Sequence, residues 1–188
     1  MLLKKLVTWG FVLVLGVSVY AQDRTTASGI PLDSQWKINI YEYAQENFIH
    51  TAWGVGHCER NYNLAMQLAQ KDNLPVDEEA LFAAAFLHDI GSFNRVKGED
   101  HAVTSAKMMD TVLKDFGFPL EKKETVKNAI LGHMYNAKVV DEPTAKVFHD
   151  ADTLDFMGTI GIDRVISLTT RIESWEPTLD KSFGTLER

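Results

Sequence analysis

The run Ala80-Leu81-Phe82-Ala83-Ala84-Ala85-Phe86-Leu87-His88-Asp89-Ile90-Gly91 decides how this chain is read. Eight apolar residues end in two side chains that can bind metal. The run is too apolar for a surface, and burying a carboxylate without a partner is expensive. A helix C-terminus carries partial negative charge and favours a nearby cation. Gly91 is read as the left-handed residue that stops the helix. His88 and Asp89 are therefore candidate metal ligands, with further ligands to come from elsewhere in the chain.

Working outward, 188 residues fit one domain and can bury a sizeable core. The net charge of -7 excludes a nucleic-acid polymer as main partner, because no basic stripe exists to displace counterions. A small phosphorylated substrate is compatible with that charge, since a metal supplies positive charge locally. Cys58 is the single cysteine, which excludes an intrachain disulfide and a cysteine-based zinc site.

The first 21 residues follow the secretory pattern: Lys4 and Lys5, an apolar stretch from Leu6 to Val19, then Val19-Tyr20-Ala21 before a polar Gln22-Asp23-Arg24. The apolar stretch is short of the ~20 residues a spanning helix needs. The expectation is a cleaved signal over 1–21 and an exported, periplasmic bacterial protein with no stable membrane contact after cleavage. Residues 22–33, with Thr, Ser, Gly and Pro, read as an exposed lead-in, and 34–188 as the functional domain. Sequencing the exported form tests the cleavage, with Gln22 as the expected first residue.

Apolar residues recur at helical spacing through the rest of the chain, with no alternating strand pattern and no repeat. Asp33 or Ser34 caps a first helix through Trp36, Ile40 and Ala44, and a break follows at Gly54-Val55-Gly56. His57 opens a second helix, which Asn73-Leu74-Pro75 ends. Asp77 caps the third, which runs to His88, and Gly91 to Gly98 is a polar loop. Asp100 or Glu99 starts a fourth, and Glu121 to about His133 is a fifth. Asp141-Glu142-Pro143 starts a sixth, and Ile162 to about Ile172 a seventh. Gly158 and Gly161 mark a bend or a close helix contact, and the chain around Trp175-Glu176-Pro177 reads as loose. The fold class is all-α, a bundle of about six or seven helices around a metal site.

Six histidines are present, and a lone one is usually structural. His57 alone would be a surface residue at a helix start. His149-Asp150-Ala151-Asp152-Thr153-Leu154-Asp155 is different, because an acidic cluster lies between Phe148 and Phe156. In order, His57, His88-Asp89 and Asp152 resemble the H…HD…D signature of the HD-domain metal-dependent phosphohydrolase superfamily. Asp150-Ala151-Asp152-Thr153-Leu154-Asp155 and the following Gly158-Thr159-Ile160-Gly161-Ile162-Asp163-Arg164 are similar to its branch of small stand-alone hydrolases. The resemblance covers roughly residues 34–172.

The resemblance implies that His57, His88, Asp89 and Asp152 hold a divalent ion. A mixed nitrogen and oxygen set suits Mn²⁺, Fe²⁺, Co²⁺, Ni²⁺ or Zn²⁺, with Mg²⁺ also compatible. It implies hydrolysis of a phosphoester or phosphoanhydride, nucleotide-like, by a metal-activated water that Asp89 steers. A one-ion site is the favoured reading, with His101 and His133 contacting phosphate or acting as acid to the leaving group; the alternative is a second ion on His101 and His133, bridged by Asp89. Arg60, Arg95 and Lys97 are the candidates for substrate phosphates, whereas Arg164 is assigned to an internal carboxylate such as Asp155 or Asp163. His50 and His149 are assigned mostly to structure, and Cys58 to a buried neutral thiol. The alternatives are a non-catalytic metal- or nucleotide-binding protein, or a dinuclear enzyme that extends to di-iron oxygen chemistry. The export signal departs from the superfamily's intracellular habit and points away from intracellular nucleoside triphosphates. Oligomeric state stays open.

Overall fold

A computed structural model describes residues 24–50 and 52–168 of the chain. In order, its helices are α1 (Gln35–Asn47), α2 (Val55–Asp72), α3 (Glu78–Leu87), α4 (Ile90–Phe93), α5 (His101–Phe116), α6 (Lys123–Gly132), α7 (Pro143–Asp155) and α8 (Gly158–Leu168). A 3₁₀ turn at Leu120–Lys122 precedes α6. Among the described residues the class is all-α, with an isolated bridge between Thr25 and Pro31 and no strand. None of the described helices is long and apolar enough to cross a membrane. The proposed signal segment 1–21, the end of the expected seventh helix and the Trp175 region lie outside the described residues.

Helix α3 is the axle. Every residue from Ala80 to Leu87 is fully buried, and α1, α2, α6 and α7 all pack on it. Its alanines let those neighbours approach closely, while Phe82 and Phe86 fill the space between them. Trp36 meets Phe82 edge-on at 5.7 Å, and Tyr41 meets Phe86 at the same distance. The start of α3 is set by Asp77, whose side chain accepts the Ala80 N–H. Ser34 and Asp100 cap α1 and α5 in the same way. Asn73 and Gly117 end α2 and α5 with left-handed backbones, φ 53° and 77°.

Three boundaries differ from the sequence reading, besides that of α8, which begins at Gly158 rather than Ile162. Gly54 is the N-cap of α2, so Val55 and Gly56 lie inside that helix and His57 sits in its first turn. The lead-in is not exposed throughout. Thr26, Ile30 and Leu32 are buried, and buried Glu59 accepts from Thr26 Oγ1 at 3.1 Å, the Ser28 N–H at 2.6 Å and the Tyr41 hydroxyl at 3.2 Å. Two apolar side chains and one internal carboxylate hold that stretch to the bundle, which its polar composition hides.

Gly91 is the third correction. It does not terminate α3 in a left-handed conformation; it lies inside α4, buried. Glycine is needed there for a close approach. A Cβ would run into the backbone carbonyl of His101 and lie 2.7 Å from Ser105 N. The Gly91 N–H donates to Ser105 Oγ at 2.8 Å. This contact clamps the His88-Asp89 turn against the start of α5, which carries His101. Gly158, by contrast, does adopt a positive φ, 65°, as the chain turns into α8.

Gly91→Ala is expected to destabilise the fold by about 2–3 kcal/mol, the upper part of the range for overpacking against backbone. Thermal unfolding with and without added Mn²⁺ measures it. An unchanged melting temperature would show that α5 yields freely and that the clamp is not rigid.

Candidate metal centre

Helices α3 and α6 end in the same device. Each stops at a histidine, His88 or His133, that still has right-handed helical dihedrals. Each ring turns its Nδ1 onto the carbonyl three residues back: Ala85 O at 3.0 Å for His88 and Ile130 O at 2.6 Å for His133. A carbonyl only accepts, so Nδ1 carries the hydrogen and a neutral ring keeps its lone pair on Nε2. His57, from α2, is set differently. Its Nδ1 lies 2.7 Å from Asp155 Oδ2, a carboxylate that likewise accepts.

The Nε2 atoms then converge on carboxylate oxygens. His57 Nε2 lies 3.0 Å from His88 Nε2, 3.2 Å from Asp152 Oδ1 and 3.7 Å from Asp89 Oδ2. His88 Nε2 lies 3.2 Å from Asp89 Oδ2 and 3.8 Å from Asp152 Oδ1. Where both rings are neutral, two lone pairs meet here, and Arg164 Nη2 at 3.1 Å and Asn61 Nδ2 at 3.3 Å are the donors within reach of His57 Nε2. Metal–ligand bonds of about 2.1 Å place neighbouring donors about 3 Å apart, so the spacing is that of a coordination shell. The donor set therefore fits a divalent cation.

The electrostatics agree. Burial opposes charge on Asp89, but His88, His133 and His101 hold its carboxyl well below the usual range. Asp152 is also lowered, against its burial, mainly by His57. Burial likewise opposes charge on His88, yet Asp89 and Asp152 raise its pKa, which shows a field that attracts positive charge. His133 goes the other way: burial and then the His88 charge push it down to about 4, so its ring is neutral near pH 7.

The second oxygen of Asp89 faces another pair. Asp89 Oδ1 lies 3.4 Å from His101 Nε2 and 4.0 Å from His133 Nε2, and those nitrogens are 3.1 Å apart. Among the described residues three groups thus have donor atoms close enough to share an ion: His57, His88 and Asp89; His88, His133 and Asp152; and Asp89, His101 and His133. Ser92 Oγ donates to Asp89 Oδ1 at 3.2 Å and orients the shared carboxylate.

Several supporting residues were not assigned from sequence. Asn61 lies one turn after His57; its Nδ2 donates to Asp152 Oδ1 at 2.7 Å, and its Oδ1 is buried without a partner. Asp155 holds His57 and also receives Arg60 Nε at 2.7 Å, Arg60 Nη2 at 2.9 Å and Arg164 Nη1 at 3.0 Å. Burial opposes its charge, but these donors hold its pKa at about 2. The i+4 spacing of Asn61 and the i+3 spacing of Asp155 from assigned ligands were the available signals.

A cavity of about 320 Å³ opens over Asp89, His101, His133 and Asp152. Of the three cations assigned to substrate, Arg95 lines it. Arg60 does not; its guanidinium is engaged with Asp155. Lys97 lies in an adjoining groove over 91–101 instead. Arg164 pairs with Asp155 while its Nε donates to Ala52 O at 2.7 Å. His149 turns its Nδ1 to Gly132 O at 2.8 Å, and the His50 Nδ1 accepts the Ala52 N–H at 3.1 Å. Cys58 is buried, and burial raises its thiol pKa.

With this geometry in hand, the comparisons are specific. The HD domain matches residues 54–157, more than half of the chain, and the chain belongs to that family. A solved protein described as a predicted HD superfamily hydrolase, from an uncultured Thermotogales bacterium, is 27% identical. The match covers 81% of this chain and 82% of that one, with a TM-score of 0.53. A Lactobacillus plantarum protein shares the fold at 20% identity and TM-score 0.55, covering 79% of this chain and 73% of its own. Among curated relatives, a tRNA (cytidine(56)-2′-O)-methyltransferase of Picrophilus torridus is 26% identical over 132 residues, 65% of this chain. An uncharacterised protein of Clostridium beijerinckii is 28% identical over 92 residues, 48% of this chain. The matches span 36% and 57% of those two relatives.

Asp155→Asn removes the carboxylate that orients His57. Loss of such a support typically lowers metal affinity 10–100-fold, and that drop is expected here. Mn²⁺ or Zn²⁺ titration of the purified chain measures it; unchanged affinity would mean that His57 needs no partner.

Proposed function

We propose that this chain is a metal-dependent phosphohydrolase that works with two divalent ions. The observation carrying this reading is that Asp89 offers Oδ2 to His57 and His88 and Oδ1 to His101 and His133, at the floor of an open cavity. His57, His88, Asp89 and Asp152 would hold one ion, and Asp89, His101 and His133 the other. Bound there, the ions supply Lewis acidity to a phosphoryl oxygen and lower the pKa of a nearby water.

The chain's own residues do the rest. Asp89, fixed by Ser92, keeps both ligand groups at one spacing. Asn61 holds Asp152 Oδ1 in place. Arg95 meets the phosphoryl anion at the cavity, and the exposed position of its side chain favours capture from solvent. Ligation suits His133 because its Nδ1 hydrogen is held on Ile130 O, which leaves the Nε2 lone pair facing Asp89 Oδ1 and His101 Nε2. This favours the two-ion version over the one-ion version with His133 as acid.

The test loads the purified chain with Mn²⁺, Fe²⁺, Co²⁺ or Zn²⁺ and follows p-nitrophenol release from p-nitrophenyl phosphate and its bis ester. Turnover is expected with at least one ion, with two ions per chain by metal analysis. His88→Ala and Asp152→Ala are expected to lose on the order of a thousandfold in kcat, together with metal. A fully active Asp152→Ala chain that retains no metal would sink the proposal.

A further inference from the structure

We propose that the cavity takes a phosphate monoester whose organic group is aromatic or apolar, and that it is not built for a polyphosphate. This deepens the phosphohydrolase reading above and rests on it. The floor of the cavity is the metal face, Asp89, His101, His133 and Asp152. Its walls are Trp53, Met134, Tyr135, Phe156 and Met157. Three aromatic rings and two thioethers form a surface for a flat, weakly hydrated group, since rings stack on rings and methionine adapts to their edges. The Phe156 ring is backed by Arg164, whose guanidinium carbon sits 3.8 Å from the ring centroid, so that wall is braced.

Charge sets the other half of the preference. A polyphosphate brings several negative charges and is normally met by several cations along its length. Among the described residues two arginines line the cavity, Arg95 and Arg164. Arg164 is already engaged by Asp155 and the Ala52 carbonyl. Arg95 is left, enough with the ions for one phosphoryl group. The adjoining groove adds Lys97 against Asp100, while its Glu99 is held by Lys107, so among the described residues it is a weak seat for a second phosphate. The volume of about 320 Å³ is near the small end of ligand pockets, which fits one phosphoryl group and one ring system.

The reaction balances without a co-reactant. A water oxygen bonds to phosphorus, the phosphorus–oxygen bond to the organic group breaks, and the released alkoxide takes up a water proton. The products are inorganic phosphate and an alcohol or phenol.

Calorimetric binding to the Mn²⁺-loaded full chain, in excess metal, tests this without relying on turnover. Benzylphosphonate is expected to bind at least tenfold tighter than methylphosphonate. ATP, supplied as its Mn²⁺ complex, is expected to bind no tighter than AMP. Tyr135→Ala should narrow the benzyl-to-methyl ratio at least threefold, and Met157→Ala, at an exposed position, should narrow it in the same direction if the first variant does not fold. Equal binding of the two phosphonates, or ATP tenfold tighter than AMP, overturns the proposed ligand class even where p-nitrophenyl phosphate is turned over. A retained benzyl preference with no ester hydrolysed under any metal supports the ligand class and instead removes the hydrolase reading.

Discussion

The structure depends on three carboxylates buried at the centre of a helical bundle and on how each is compensated. Asp155 receives His57, Arg60 and Arg164, so its charge is met by two guanidiniums. Asp89 and Asp152 have imidazole partners within ion-pair distance. Where those rings are neutral and turn lone pairs inward, Asp89 and Asp152 keep negative charge in a medium that solvates it poorly. A divalent cation removes that cost. The same ligand set that offsets this cost is the one the proposed chemistry uses.

The way the lone pairs are aimed is local. At His88 and His133 the chain needs no second element to choose the tautomer, because each helix supplies the carbonyl from its own last turn. Rings set in this way are oriented by the helices that carry them, so α3 and α6 act as rigid arms. Helix α3 is the stiffer, surrounded by four other helices. The Gly91 contact with α5 brings His101 to the same carboxylate. A change that loosens α5 would therefore disturb the second ligand group before the first.

The cavity divides by chemistry: charged and ligand side chains at the floor, aromatic and thioether surface at the walls, and Arg95 in reach. That division separates the functions of the two regions. In the proposed reaction the ligands at the floor would govern whether a phosphoryl group reacts, and Trp53, Met134, Tyr135, Phe156 and Met157 what is attached to it.

Much of this was legible in the residues. The apolar run ending in His88-Asp89 and the acidic phrase around Asp152 pointed to a metal site because buried carboxylates need partners, and that need is visible in sequence. Helix caps at Ser34, Asp77 and Asp100 were legible because capping is decided within one turn. Three-dimensional proximity was not. Whether Arg60 reaches substrate or Asp155 depends on where α7 crosses α2, and periodicity carries no such distance. Gly91 was placed at a helix stop because glycine's backbone freedom is its commonest use; its actual role, leaving room for His101 and Ser105, exists only once α5 is packed. The sequence by itself determined most of the helices and the buried axle, since these follow from local hydrogen bonding and hydrophobic period; the four-ligand set came from the order of its motifs. The tertiary structure alone decided that Asp89 turns one oxygen to each pair of histidines, because that is set by the packing of α2, α3, α5 and α6 against one another.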